Sequence, residues 1–225
     1  MKTLRLVLGD QLSRALPSLT DLDLDKDLVL MAEVMAEVTY VKHHKRKIAY
    51  LFSAMRHFAK SLGDDGIAVR YRRLDDPDNT GSLAGEVANA IAVFGPDRIV
   101  ITAPGEYRLA DEMAGWQAHF GLPVEIRDDT RFLCSLDDFA EWAEGRKSLR
   151  MEFFYRDLRR RYQVLMEGDE PIGGKWNYDA DNRQPPKAGL AVPPPSSFAP
   201  DAITAEVLAL VEMRCADHFG QLAGF

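Results

Sequence analysis

Leu4-Arg5-Leu6-Val7-Leu8-Gly9-Asp10-Gln11-Leu12 is the stretch that decides the fold. An apolar run that ends in glycine and polar residues reads as a buried strand opening into a tight turn. A second run, Leu28-Val29-Leu30-Met31, leads into Glu33-Val34-Met35-Ala36-Glu37-Val38-Thr39-Tyr40. Lys42-His43-His44-Lys45-Arg46-Lys47 then feeds a helix in which Ile48, Leu51, Phe52, Met55, Phe58, Ala59 and Leu62 keep the helical period. Gly63 and Gly66 close it. A strand, a glycine turn and polar residues at the carboxyl ends of two strands are what an open α/β sheet uses to hold a ligand.

The rhythm continues outward. Strands are expected at Leu4 to Leu8, Leu28 to Glu33, Ala68 to Leu74, Arg98 to Thr102 and Val124 to Arg127. Helices are expected at Lys45 to Leu62, Ser82 to Phe94 and Tyr107 to Phe120, with Asn79-Thr80-Gly81-Ser82 as turn and cap for the second. This alternation implies an α/β fold, an open parallel sheet of about five strands with helices on both faces. It stops near residue 130. Ser135 to Glu144 reads as a short capped helix, and a longer helix runs through Met151, Tyr155, Leu158, Tyr162 and Leu165. Residues 168 to 200 carry Pro171, Pro185, Pro186 and Pro193-Pro194-Pro195, which disfavours helix or central strand there. A final amphipathic helix is expected over Ile203 to His218.

At 225 residues the chain can hold one α/β domain and an appendage. Its net charge of −7 argues against a generally basic nucleic-acid binder. Cys134 and Cys215 stand alone, so neither a zinc ribbon nor an internally ligated iron–sulfur cluster is expected. Two isolated cysteines suit a reducing cytoplasm. Met1-Lys2-Thr3-Leu4 opens a strand, not a signal peptide, and no apolar run approaches the roughly 20 residues that span a bilayer. A soluble, cytoplasmic, bacterial-type protein is the expectation.

Gly9-Asp10-Gln11-Leu12 brings backbone N–H groups and two polar side chains to the sheet's carboxyl edge. It has neither GxGxxG nor a Walker lysine, so a phosphate cradle is not indicated. The alternative is a strand-end turn with a satisfied aspartate. Glu33 and Glu37 lie four apart beside Tyr40. Carboxylates accept from ring or ribityl donors, and a phenol donates or accepts. With no third acidic ligand and no nucleophile nearby, ligand binding outweighs catalysis or a metal site, against the alternative of a solvated strand end. His43 and His44 are adjacent, which is poor spacing for chelation. The cations from Lys42 to Lys47 oppose the helix macrodipole, which an anionic ligand or neighbouring carboxylates would explain. Arg146, Lys147, Arg150, Arg156, Arg159, Arg160 and Arg161, with Phe153, Phe154, Tyr155 and Tyr162, read either as nucleic-acid contacts or as core and interface residues. The Gly173 to Arg183 loop is dense in functional residue types, although Asp179 and Asp181 are too few for a hard-cation site.

Several of these words, in this order, resemble the N-terminal part of the iron–sulfur bacterial cryptochromes and photolyases, the deoxyribodipyrimidine photolyase-related proteins. The words are Leu8-Gly9-Asp10-Gln11-Leu12, Glu33 to Glu37, His43-His44-Lys45, Ser53 to Ala59, Pro104-Gly105-Glu106-Tyr107, Gly145 to Leu149, Met151 to Tyr155 and Gly174 to Arg183. The resemblance implies a Rossmann-like antenna domain over 1–130, a helical connector and long loop over 131–200, and the start of a helical domain over 201–225. It implies an antenna pigment, 6,7-dimethyl-8-ribityllumazine, and a longer parent whose helical domain holds FAD and a 4Fe–4S cluster. Such a parent repairs (6-4) photoproducts in DNA or senses blue light. The chain is therefore expected to be a truncated piece, inactive alone, that meets DNA only through its parent.

Joined to the local reading, the resemblance gives each candidate a role. Gly9, Asp10, Gln11 and Leu12 would shape the pocket floor. Glu37 and Tyr40 would hydrogen-bond the pigment, with Glu33 in support, and Leu51 would pack against its ring. No catalytic residue and no metal ligand is expected. The competing reading is a non-enzymatic interaction module with an empty pocket. Leu208, Val211, Phe219 and Phe225 are expected to form an exposed apolar patch that favours self-association.

Overall fold

Successive residues of a strand point to opposite faces, and β1 (Thr3–Leu6) uses both. Leu4 and Leu6, with Leu8 just beyond, join one apolar core, and Val7 joins the other. Arg5 is buried as well, which is tolerable because its guanidinium is fully engaged. It donates to Asp27 at 2.7 Å, to Asp21 at 2.7 Å and to the Ser18 carbonyl at 2.7 Å.

The computed structural model describes residues 1–183, 185 and 189–225. Pro186, one of the prolines noted above, lies outside the described residues. Five strands, β1, β2 (Asp27–Ala32), β3 (Val69–Arg72), β4 (Arg98–Thr102) and β5 (Val124–Arg127), form one parallel sheet in the order β3-β2-β1-β4-β5. Leu4 sits opposite Leu28 on one side and Ile99 on the other. These are the five strands expected from the apolar runs. The chain divides into two compact units, Met1–Arg131 with Ala199–Phe225, and Phe132–Phe198.

In the first unit, a short α1 (Met35–Thr39) follows β2 and leads to α2 (Lys45–Asp64). Helices α3 (Leu83–Phe94), α4 (Tyr107–Ala114) and α5 (Trp116–Phe120) complete the alternation. Ser82 caps α3 by accepting from Gly85 N–H. The helix expected over Tyr107 to Phe120 is two, broken at Gly115, where glycine's backbone freedom disfavours a helix interior. Ile48, Phe52 and Met55 of α2 cover one sheet face. Leu83 and Val87 of α3 cover the other, with Leu109, Met113 and Trp116. Both faces are thus buried, as a parallel sheet requires.

In the second unit, α6 (Leu136–Ala143) opens on a capping box between Ser135 and Asp138. Helix α7 (Met151–Tyr162) ends before the expected Leu165, because Gln163 and Leu165 take left-handed φ of 53° and 54°. Two-residue strands β6 (Met166–Glu167) and β7 (Glu170–Pro171) pair antiparallel, and α8 (Asp179–Asn182) follows. The α7 arginines engage partners inside this unit. Arg156, Arg159 and Arg160 lie 5.3, 5.4 and 4.6 Å from the Trp176 ring centre. Arg156, Arg160 and Arg161 also pair with Glu152, Asp157 and Asp138. That favours the structural alternative over phosphate contact for these three.

Helix α9 (Ala202–Arg214) returns to the first unit and packs on α2 through Val207, Leu210, Val211 and Cys215. The tail is therefore not the open patch its composition predicted. Val211 is fully buried, Leu208 and Phe225 pack against the same core, and Phe219 stands 58% exposed. Charge complementarity seals the contact. Lys45 meets Glu212 at 3.2 Å, Arg73 meets Glu206 at 2.8 Å and Lys42 pairs with Asp217. Asp217 and Glu212 are neighbouring carboxylates, one of the two explanations offered for the cation run from Lys42 to Lys47. Among the described residues no helix is long and apolar enough to cross a membrane.

One contact in this seam titrates. His57 Nε2 lies 2.6 Å from Asp201 and Nδ1 lies 2.7 Å from the Ser53 carbonyl. Both partners accept, so only the protonated ring satisfies both. Asp201 raises His57 above its ordinary 6.5, with help from the Ser53 carbonyl. The Thr204 N–H and then His57 hold Asp201 down at about 2. The His57 contribution is full below 6.5 and fades as pH rises through its raised folded value. On the acid side, the Asp201 contribution fades as pH falls from 3.8 through about 2. His57→Gln should therefore lower the urea midpoint most between about pH 4 and 6.5, and less above that window. A midpoint difference that stays constant into alkaline pH would refute the assignment.

Candidate functional site

The winding runs outward from β1 to β3 and resumes on the other side at β4, so the loops leaving β1 and β4 part at the carboxyl edge. Such a switch point is where open α/β sheets bind ligands. A cavity of about 280 Å³ opens there, near the lower end of the roughly 300–1,000 Å³ usual for small-molecule sites. Gly9 and Asp10 enter it from the β1 loop, and Pro104, Gly105 and Glu106 from the β4 loop. Val34, Glu37, Val38 and Tyr40 come from the end of β2 and from α1. His43, Lys47, Ile48, Leu51, Phe52 and Met55 form the wall at the start of α2.

The β1 turn is shaped for close approach. A Cβ at position 9 would stand 3.0 Å from Met55 Sδ, so glycine lets the turn lie against α2. The Asp10 carbonyl accepts from Arg131 at 2.8 Å, and Arg131 is itself held by Asp129. Across the cavity, Arg108 gathers the acidic groups. It donates to Glu37 at 2.7 Å and to Glu106 at 2.9 Å, and its guanidinium lies 4.4 Å above the Tyr40 ring. His43 meets the same ring edge-on at 5.0 Å, and Lys47 Nζ is 3.2 Å from His43 Nδ1.

These neighbours set protonation. Burial, followed by the Glu106 charge, pushes the Tyr40 phenol up, so it stays a neutral donor. Burial and then Lys47 push His43 down, toward a neutral ring at pH 7. The bonds to Glu37 and Glu106 raise Arg108 further above its ordinary value. The arrangement is an apolar slot with a rim of carboxylate, phenol, imidazole and ammonium groups. It suits a flat heterocycle with a polar arm.

Of the residues singled out in the sequence, Gly9, Asp10, Glu37, Tyr40 and Leu51 meet at this cavity. Gln11, Leu12 and Glu33 do not line it. Gln11 is fully buried and donates to the Thr102 and Ala103 carbonyls at 3.1 and 3.0 Å, strapping the β1 turn to the end of β4. Leu12 packs against the core under α2. Glu33 is fully buried in an ion pair with Arg56, at 2.6 and 2.9 Å. It also accepts from the Tyr71 hydroxyl at 2.7 Å and Leu74 N–H at 3.0 Å, which leaves its carboxylate saturated. Its place is to brace the end of β2 behind the cavity. Lys47, Glu106 and Arg108 were not singled out as site residues. The available signal was Pro104-Gly105-Glu106-Tyr107 at the end of β4, the switch-point partner of the β1 turn.

The family model for deoxyribodipyrimidine photo-lyase-related proteins matches residues 5–225. The chain belongs to this family. It is 52% identical over its whole length to a (6-4) photolyase of Agrobacterium fabrum (strain C58 / ATCC 33970), and it spans 44% of that protein. It is also 24% identical over 195 residues to uncharacterized protein R852 of Acanthamoeba polyphaga mimivirus. That match takes in 82% of this chain and 95% of the viral protein.

Proposed function

We propose that this chain is the antenna-chromophore domain of a photolyase-related protein and holds 6,7-dimethyl-8-ribityllumazine in the switch-point cavity. The observation that carries the reading is the pairing of an apolar slot with Glu37, Tyr40 and Glu106, gathered around Arg108, at its rim. Pro104 to Glu106 and the Val34 to Leu51 wall would flank the ring system. Glu37 would accept from ribityl hydroxyls and Tyr40 would donate to a ring carbonyl or nitrogen. Asp10, Glu37 and Glu106 make the rim a poor home for a diphosphate, which weighs against FAD in this cavity.

A lumazine bound there would absorb near-ultraviolet to blue light and pass excitation to a flavin. That flavin, with an iron–sulfur cluster, would belong to a separate helical domain of a longer cytoplasmic protein. DNA repair or blue-light sensing would be the work of that longer protein, and DNA its partner. In this reading the 225 residues alone catalyse no repair.

Titration with 6,7-dimethyl-8-ribityllumazine tests the proposal. The pigment's fluorescence should saturate at one equivalent per chain. Glu37→Gln should weaken binding about tenfold, the usual consequence of losing one charge-assisted hydrogen bond. A protein that takes up no pigment would sink the antenna reading and leave the interaction module in its place.

A further inference from the structure

The His43–Lys47 side of the cavity is tied to the last residues of the chain. Lys42 pairs with Asp217. The His43 carbonyl lies 3.0 Å from Nδ1 of the buried His218. The His44 ring meets Phe219 edge-on at 5.2 Å. Lys45 N–H donates to the Phe219 carbonyl at 3.0 Å. Arg46 donates to the Gln221 carbonyl at 3.0 Å and also reaches the Ala223 carbonyl. Each residue from Lys42 to Arg46 thus has a partner between Asp217 and Ala223. His43, just before the His44 cap, and Lys47, in the first turn of α2, both line the cavity, so the same segment aims both side chains at it.

We propose that residues 217–225 are a positioning clasp for the ligand cavity. They hold the segment from Lys42 to Lys47 in register, and ligand affinity depends on their docking. Gly220 is the pivot. Its φ of +90° favours glycine, and a Cβ there would overlap the His44 ring. That ring is not free to step aside, because Nδ1 caps α2 by accepting Arg46 N–H at 3.0 Å. A side chain at position 220 must displace either the clasp or the cap. The ligand arm of this inference rests on the antenna reading; the structural arm does not.

The test uses the full chain and three variants. Gly220→Ala collides with His44, and Arg46→Ala removes the two carbonyl contacts without adding bulk. Gly95→Ala is the control, since it imposes similar strain at φ +60° with open space around it and lies away from the cavity. Hydrogen exchange over residues 42–48 should accelerate in Gly220→Ala and Arg46→Ala and stay at the wild-type rate in Gly95→Ala. Ribityllumazine affinity should fall about fivefold in the first two, as for loss of a helix cap, and hold in the control. Unchanged exchange over 42–48 in both test variants would overturn the clasp. So would wild-type affinity despite accelerated exchange. If the wild-type chain takes up no pigment, the antenna reading fails and exchange alone decides the clasp. If Gly220→Ala does not fold, Arg46→Ala carries the same comparison.

Discussion

Arg56→Ala should destabilise the sheet unit by about 3–5 kcal/mol, the usual cost of breaking a buried ion pair from one side. Glu33 has no exposed surface, and Arg56 supplies two of its four hydrogen bonds. Without the guanidinium, a carboxylate remains in the interior with only the Tyr71 hydroxyl and one backbone N–H. Tyr71 cannot replace the lost positive charge, because a phenol is only ever neutral or negative; burial and then the Glu33 charge keep it neutral. The double variant Glu33→Gln with Arg56→Met should recover most of the loss, since no charge is then left unpaired. Urea unfolding of the three proteins measures both effects. A loss below about 1 kcal/mol for Arg56→Ala would mean that water reaches the pair and that it behaves as a surface salt bridge. Both changes should leave the rim groups Glu37 and Tyr40 in place, which separates the brace from the binding site.

This ion pair also marks where the sequence stops being legible. The five strands could be read because a parallel sheet buried on both faces demands continuous apolar runs, and Leu28 to Met31 or Ile99 to Ile101 have no other use. The site residues follow a weaker rule. Glu33 and Glu37 are the same residue type, four apart, one just after β2 and the other in α1. One is sealed inside by a partner 23 positions away and the other reaches the rim. Only Arg56, a charged residue beside Met55 on a buried helix face, hinted that an acid must meet it inside. Asp10 and Gln11 divide in the same way, since adjacent residues in a turn point apart. Arg108 was hidden for another reason. Its role depends on two loops from different strands meeting at the switch point, and no local pattern encodes that meeting. The docking of α9 was missed because an apolar stripe names no partner. Here the partner is α2, whose Lys45 and Arg56 answer Glu212 and Glu206, while Lys42 just before it answers Asp217.

Leu51→Trp should abolish pigment binding while leaving the fold intact. Leu51 lies one turn before Met55 on α2 and forms part of the cavity wall. An indole at this position would project into a space of about 280 Å³ that the proposed heterocycle must occupy. In a filled core such an enlargement costs about 1–3 kcal/mol through strained neighbours. A wall position has empty volume in front of it, so the thermal midpoint should move by no more than about 2 °C. Affinity should fall by about a hundredfold or more, because the ligand and the ring cannot share the slot. Leu51→Met, nearly equal in volume, should bind as the wild type does and so separates blocking from mere substitution. Pigment retained at the wild-type level by the tryptophan variant would place the ligand elsewhere and make Leu51 an ordinary packing residue. A large drop in midpoint together with lost binding would mean that the wall is part of the core, and that this slot opens too little to admit a chromophore.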